Sequence, residues 1–181
     1  MSLNGSEIYI RPISYDDTDL IVKWRNQENV KKYFFYRDKF TKEIHENWMK
    51  EKVETGKVIQ FIVCQKGTDK PIGSTYLKDI DYEKLTAEYG VFLGEEEIRG
   101  MGIGKAVLHI TLDYAWEKVG LSKVIARAIS TNKSSVYSFL NSGFEIYEEL
   151  DSVPCSDGEK VGMVMMCITK DKYMERENNA E

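Results

Sequence analysis

Arg99-Gly100-Met101-Gly102-Ile103-Gly104 is followed at once by an apolar helix pattern from Lys105 onward. A glycine-rich turn opening a helix is a pyrophosphate cradle. Glycine lets the backbone pass close to a ligand with no Cβ in the way, and the free N–H groups and dipole of the first helical turn favour an anion. Three loops share this outline. A Walker loop, G-x-x-x-x-G-K-[ST], fails here because Ala106 has no hydroxyl for a metal and Arg99 stands where the first glycine belongs. A dinucleotide loop, G-x-G-x-x-G after the first strand, fails because Lys105 replaces the third glycine and the loop lies mid-chain. The third pattern, [QR]-x-x-G-x-[GA] after an extended apolar run, is matched by Arg99, Gly102 and Gly104. The run is Glu88-Tyr89-Gly90-Val91-Phe92-Leu93.

The chain has 181 residues, of which 42% are hydrophobic and 30% charged, as expected for one globular domain with a single core. No apolar run reaches the ~20 residues of a membrane span. Met1-Ser2-Leu3-Asn4-Gly5 has neither the basic nor the apolar region of a secretory signal, so a cytoplasmic location is expected and no membrane partner. The net charge of −5 argues against a nucleic-acid partner and suits a small cationic substrate. Cys64, Cys155 and Cys167 are odd in number and widely spaced, which predicts neither a disulfide framework nor a metal site.

Along the chain, Ile8 to Ile13 reads as a short strand, and Asp16-Asp17 opens a helix carrying Leu20, Ile21 and Trp24. Thr41 caps a second helix to about Glu54. Strands follow over 58–64, 71–80 and 86–93, the last leading into the glycine turn. A helix with Ile103, Val107, Ile110, Thr111 and Tyr114 at helical spacing ends near Gly120. A strand over 123–130, a helix capped by Asn132 and stopped by Gly143, and strands over 144–150 and 161–169 complete the order β-α-α-β-β-β-α-β-α-β-β. This predicts one α/β domain over 1–181, with an ordered core over about 6–170 and a charged, frayed tail over 171–181.

A second motif lies after the fifth strand: Asn132, then Ser135, then Gly143-Phe144 eight residues on. With the glycine turn, these two spaced motifs make the chain resemble the GCN5-related N-acetyltransferase (GNAT) superfamily over nearly its whole length. It stands nearest the ribosomal-protein N-terminal acetyltransferase branch and the related nucleotide-amino-sugar N-acetyltransferases. The resemblance implies a mixed sheet of about seven strands flanked by about four helices. It also implies transfer of an acetyl group from acetyl-coenzyme A to a primary amine, with no metal. Arg99, Gly100, Met101, Gly102, Ile103, Gly104 and Lys105 are expected at the pyrophosphate. The backbone of Val91, Phe92 and Leu93, freed where the fourth and fifth strands splay after a bulge, is expected along the pantetheine, with Asn132 and Ser135 beside it.

An alkylammonium with pKa near ~10 is mostly protonated at pH 7, so something must take its proton. Glu88, in Ala87-Glu88-Tyr89-Gly90, is similar to a fourth-strand glutamate of the ribosomal-protein branch and is the expected base; the other reading is a strand carboxylate paired with Lys78. Phe139 stands where many members of the family carry a tyrosine acid, and Tyr137, ~200° around a helix from that position, is expected to point elsewhere. No activated nucleophile stands out, so direct attack in a ternary complex is expected. Glu95, Glu96 and Glu97 read as a solvated run, and His45 and His109 as structural or solvated.

The acceptor is expected between the first two helices and the late hairpin. Trp24, Arg25, Asn26 and Tyr36 are candidate substrate residues, Trp24 alternatively packing the core and Arg25 and Asn26 bracing the following turn. A protein N-terminus or a nucleotide-linked amino sugar is the expected acceptor, and a homodimer is compatible. The alternative function is a domain that binds acetyl-coenzyme A without turnover, for which Phe139 is the argument.

Overall fold

A computed structural model describes residues 7–98 and 100–179. The described residues form one seven-stranded mixed sheet in the order β1-β2-β3-β4-β5-β7-β6. The strands are β1 (Ile8–Pro12), β2 (Ile59–Gln65), β3 (Pro71–Asp81), β4 (Thr86–Leu93), β5 (Lys123–Ile129), β6 (Glu145–Pro154) and β7 (Lys160–Thr169). Only β4 and β5 run parallel, because the helix between them carries the chain back across the sheet. The described helices are α1 (Thr18–Arg25), α2 (Glu28–Lys31), α3 (Lys42–Trp48), α4 (Ile103–Tyr114), α5 (Lys133–Asn141) and α6 (Lys170–Asn178). They number six where about four were expected; α2 is a single turn and α6 replaces the frayed tail.

The tail orders for a local reason. Thr169 Oγ1 accepts from the Lys172 N–H and caps α6. Tyr173 is buried against Trp116, and its hydroxyl donates to Asp113 at 2.9 Å. The second expected helix likewise begins at the Thr41 cap, whose hydroxyl accepts from Ile44 N–H, and passes into a π-type turn over Met49–Val53.

Strand alternation divides the side chains between two faces. Leu77, Ala87, Tyr89, Val124 and Ala126 pack beneath α4 and α5 with Leu108, Leu112 and Phe139. Thr75 Oγ1, 3.1 Å from Thr111 Oγ1 of α4, shares that face. Tyr76, Lys78, Glu88, Gly90, Phe92 and Arg127 therefore lie on the opposite face, toward α1 and α3. There Trp24, Ile21, Met49, Ile62 and Phe92 form a second core.

Candidate active site

The β4–β5 ladder runs from Thr86↔Lys123 to Tyr89↔Ala126 and stops, although both strands continue. Beyond that point β5 keeps its ladder with β7, through Arg127↔Met165 to Ile129↔Met163, and leaves β4. The expected bulge in β4 is not the cause: the β3–β4 ladder is in register from Lys78↔Glu88 to Gly73↔Leu93. A cleft of about 960 Å³ opens at the divergence.

Gly100, Gly102, Ile103, Gly104, Lys105, Val91, Phe92, Leu93, Asn132 and Ser135 all line this cleft, and so do Ser134 and Tyr137. Gly100 (φ 77) and Gly102 (φ 75) hold left-handed backbone, and Gly102 is the N-cap of α4. A Cβ built at Gly100, Gly102 or Gly104 meets no atom within 4 Å. These glycines are thus not demanded by packing, and they leave a bare backbone beside the first turn of a helix, where N–H groups are unclaimed by the helix itself. That surface fits a pyrophosphate, and the diverging strands fit an extended chain that bonds to backbone. Arg99 lies outside the described residues. Met101 stands between two left-handed glycines with its side chain partly exposed and is not among the residues that line the cleft. Asn132 caps α5 by accepting from the Ser135 N–H at 3.3 Å. Tyr137, expected to point away, reaches the rim of the cleft and is largely exposed.

Glu88 stands in the cleft wall with both carboxylate oxygens engaged. Oε2 is 2.5 Å from Arg127 Nη2 and Oε1 is 3.2 Å from Lys78 Nζ. The expected Lys78 pair and a place in the site therefore hold together. Burial draws the Arg127 guanidinium down, but the bond and charge of Glu88 outweigh that and hold its proton above the ordinary value.

Of the four candidate substrate residues, the cleft takes two. Arg25 and Tyr36 line it. Trp24 is fully buried in the core, its indole N–H donating to Glu95 Oε1 at 2.9 Å, so Glu95 is not solvated as expected. Glu96 accepts from Asn29. Asn26 braces the chain: its amide donates to Val22 O and Phe40 O at 2.8 Å each and accepts from Phe40 N–H at 2.9 Å. Both corrections have one cause, since consecutive helical positions face different directions and only one can meet the cleft.

Arg25 is buried, with its guanidinium carbon 3.3 Å from the Phe34 ring centroid, a stacking that offsets part of its desolvation. Burial pushes it down to about 10, and its Nη1 has no partner among the described residues. Sequence reasoning missed Tyr76, His45 and Arg127, which come to the cleft from β3, α3 and β5. His45 Nδ1 lies 3.0 Å from Thr18 Oγ1, and burial lowers its pKa. Alternation in the strands was the only signal for the other two.

None of Cys64, Cys155 and Cys167 lines the cleft, and all three are free. Phe139 is wedged between the rings of Tyr89 and Phe144.

A family model described as an acetyltransferase (GNAT) domain matches residues 7–145. An uncharacterized protein of Methanocaldococcus jannaschii is 25% identical over 142 residues; they cover 77% of this chain but only 28% of that relative's length. The spermidine N(1)-acetyltransferase of Vibrio cholerae is 22% identical, covering 95% of this chain and 98% of that one. A crystal structure of spermidine N-acetyltransferase from Vibrio cholerae in complex with CoA and spermine superposes with a TM-score of 0.86 at 21% identity, over 93% of this chain and 99% of that one. A dodecameric structure of the Vibrio cholerae enzyme gives 0.80 at 20% identity, over 94% and 98%.

Proposed function

We propose that this chain, which belongs to the GNAT acetyltransferase family and is an acetyl-coenzyme A-dependent N-acetyltransferase, acetylates a primary amine of a small molecule by direct attack in a ternary complex. One observation carries this reading: the parallel ladder ends at Tyr89↔Ala126 between a bare glycine turn and a carboxylate, Glu88, in one continuous cleft. Acetyl-coenzyme A supplies the thioester. The glycine turn and the start of α4 hold its phosphates, and the backbone of β4 beyond Tyr89 lies along its arm. A backbone N–H there, shielded from water, stabilises the oxygen as charge develops. Glu88 takes the amine proton, directly or through one water. The cysteines lie outside the cleft, which supports direct attack over an acyl-enzyme.

The spermidine enzymes of Vibrio cholerae make a polyamine the first acceptor to test, in place of the protein N-terminus or nucleotide-linked amino sugar expected from sequence. The exposed Glu148, Glu149 and Asp151 on β6 and the net charge of −5 favour a cation. The buried, unpartnered Nη1 of Arg25 favours a second reading, an amine that also bears a carboxylate or phosphate, because a buried charge left unpaired is costly until something pairs it.

Mass-detected acetyl transfer to a panel of polyamines and of amines bearing carboxylate or phosphate tests both. A product on polyamines alone supports the first reading; a product on the anionic amines, lost in Arg25→Met, supports the second. Silence across primary amines in a protein that binds acetyl-coenzyme A would overturn the enzymatic reading.

A further inference from the structure

We propose that Tyr76 is a catalytic residue of the transfer, its phenol giving a proton to the sulfur as the carbon–sulfur bond breaks. The proposal rests on the N-acetyltransferase reading above.

Its place in the fold is the first argument. Tyr76 pairs with Gly90 across the β3–β4 ladder, and its ring lies over that glycine. A Cβ at Gly90 would come 2.2 Å from Tyr76 Cζ and 2.5 Å from its Oη. Position 90 is therefore bare because the phenol occupies the space. It is also the first position of β4 beyond the end of the parallel ladder, where the cleft enters between the strands.

The hydroxyl is the second. The phenols of Tyr9, Tyr15 and Tyr173 each donate to a carboxylate. Tyr76 lines the cleft, and no described residue accepts from its hydroxyl. Burial raises the phenol to about 12, so it carries its proton at neutral pH.

The third argument is the company it keeps. Glu88 lies on the same strand face two residues from Gly90. Arg25, whose Nη1 is unpartnered, and Arg127 favour the phenolate against burial and the charges of Glu88 and Asp79, and Glu88 ceases to oppose it once it has taken a proton. The helix position expected to supply an acid is Phe139, an apolar ring packed between two others, and Tyr137 on the same helix is largely exposed at the rim of the cleft.

The step balances within the site. The amine nitrogen forms its bond to the carbonyl carbon and passes a proton to Glu88. The carbon–sulfur bond breaks with its electron pair on sulfur, which takes the Tyr76 proton and becomes a thiol. The proton held by Glu88 returns to the phenolate, which the two guanidinium groups stabilise meanwhile. One amine and one thioester give one amide and one thiol.

Tyr76→Phe keeps the ring over Gly90 and removes only the hydroxyl. Its kcat on a working amine should fall about 100-fold, the lower end for a positioned proton donor, with acetyl-coenzyme A affinity and melting temperature held. A readout independent of turnover is calorimetric affinity for coenzyme A against desulfo-coenzyme A. Wild type should prefer the thiol form, and Tyr76→Phe should lose that preference. Gly90→Ala, which displaces the ring, should lose it too. An unchanged preference in both variants, or a kcat for Tyr76→Phe within threefold of wild type, overturns the proposal. A wild type that binds acetyl-coenzyme A but acetylates no amine would instead overturn the enzymatic reading, and the sulfur preference would still decide Tyr76.

Discussion

Arg37 and Glu159 tie the segment of Phe34 and Tyr36, which lines the cleft, to the β6–β7 hairpin, with Nη1 2.7 Å from Oε2. The guanidinium also donates to Phe34 O and Lys32 O at 2.9 Å each, while the backbone N–H of Arg37 donates to Ser156 Oγ at 2.8 Å. The segment carrying Phe34 and Tyr36 is thereby fixed to the β6–β7 hairpin. The same attachment accounts for β6 running to Pro154 rather than ending near Leu150 as expected, since a pinned hairpin tip keeps its strands paired.

Arg37→Ala should loosen this wall without touching the glycine turn. Two carbonyls lose their donor, so stability should fall by about 2–3 kcal/mol. KM for the amine should rise roughly tenfold, as a misplaced wall costs orientation, with acetyl-coenzyme A affinity unchanged. Steady-state kinetics with calorimetry separates the two constants. Glu159→Gln, which removes only the charge of a largely exposed carboxylate, should cost under about 1 kcal/mol.

Gly102→Asp should abolish cofactor binding while the fold survives. The left-handed backbone at Gly102 costs an L-residue about 1–2 kcal/mol, and a carboxylate would stand at the turn proposed to hold the phosphates. Titration with acetyl-coenzyme A should show affinity reduced at least tenfold. Unchanged affinity would remove the glycine turn from the site.

Glu88→Gln should lower kcat by about 10²–10³-fold with acetyl-coenzyme A affinity within about twofold. If Glu88 served only to neutralise Lys78 and Arg127, the loss would instead follow stability in a thermal melt.

Gly94→Ala should destabilise the protein through Trp24. A Cβ at position 94 would lie 2.2 Å from three atoms of the buried indole, which is held in place by its bond to Glu95. Overpacking of this kind costs about 1–3 kcal/mol, measurable as a lower denaturant midpoint.

Stability should fall as pH drops below 6.5, in part through His45. Burial lowers its pKa from 6.5, so the folded state holds it neutral while the unfolded chain takes up a proton. The stabilisation is complete above 6.5 and is lost as pH falls toward the folded-state value. His45→Gln should flatten the dependence of melting temperature on pH over that window.

The glycine turn, the Asn132 cap and the strand over 86–93 were legible in sequence because each is written in consecutive residues. Left-handed backbone favours glycine, a cap favours a short oxygen-bearing side chain, and alternation marks a strand. Trp24 and Asn26 were misplaced because a helix pattern tells which residues are apolar, not which of three neighbours meets a cavity. The α6 helix was missed for a related reason: its anchor is Tyr173 against Trp116 and Asp113, and nothing local in a charged segment announces it.

The sequence by itself determined the order of the strands, the family and the left-handed glycine turn, since these rest on patterns and backbone conformations that neighbouring residues impose. Only the tertiary structure decided the chemistry of the cleft. Tyr76, Glu88 and Arg127 lie on three strands and Arg25 on a helix, and they meet because ladder register and the pleat bring one face of each strand together. Register is set by pairing between distant segments, so the meeting of those four side chains exists only in the folded sheet.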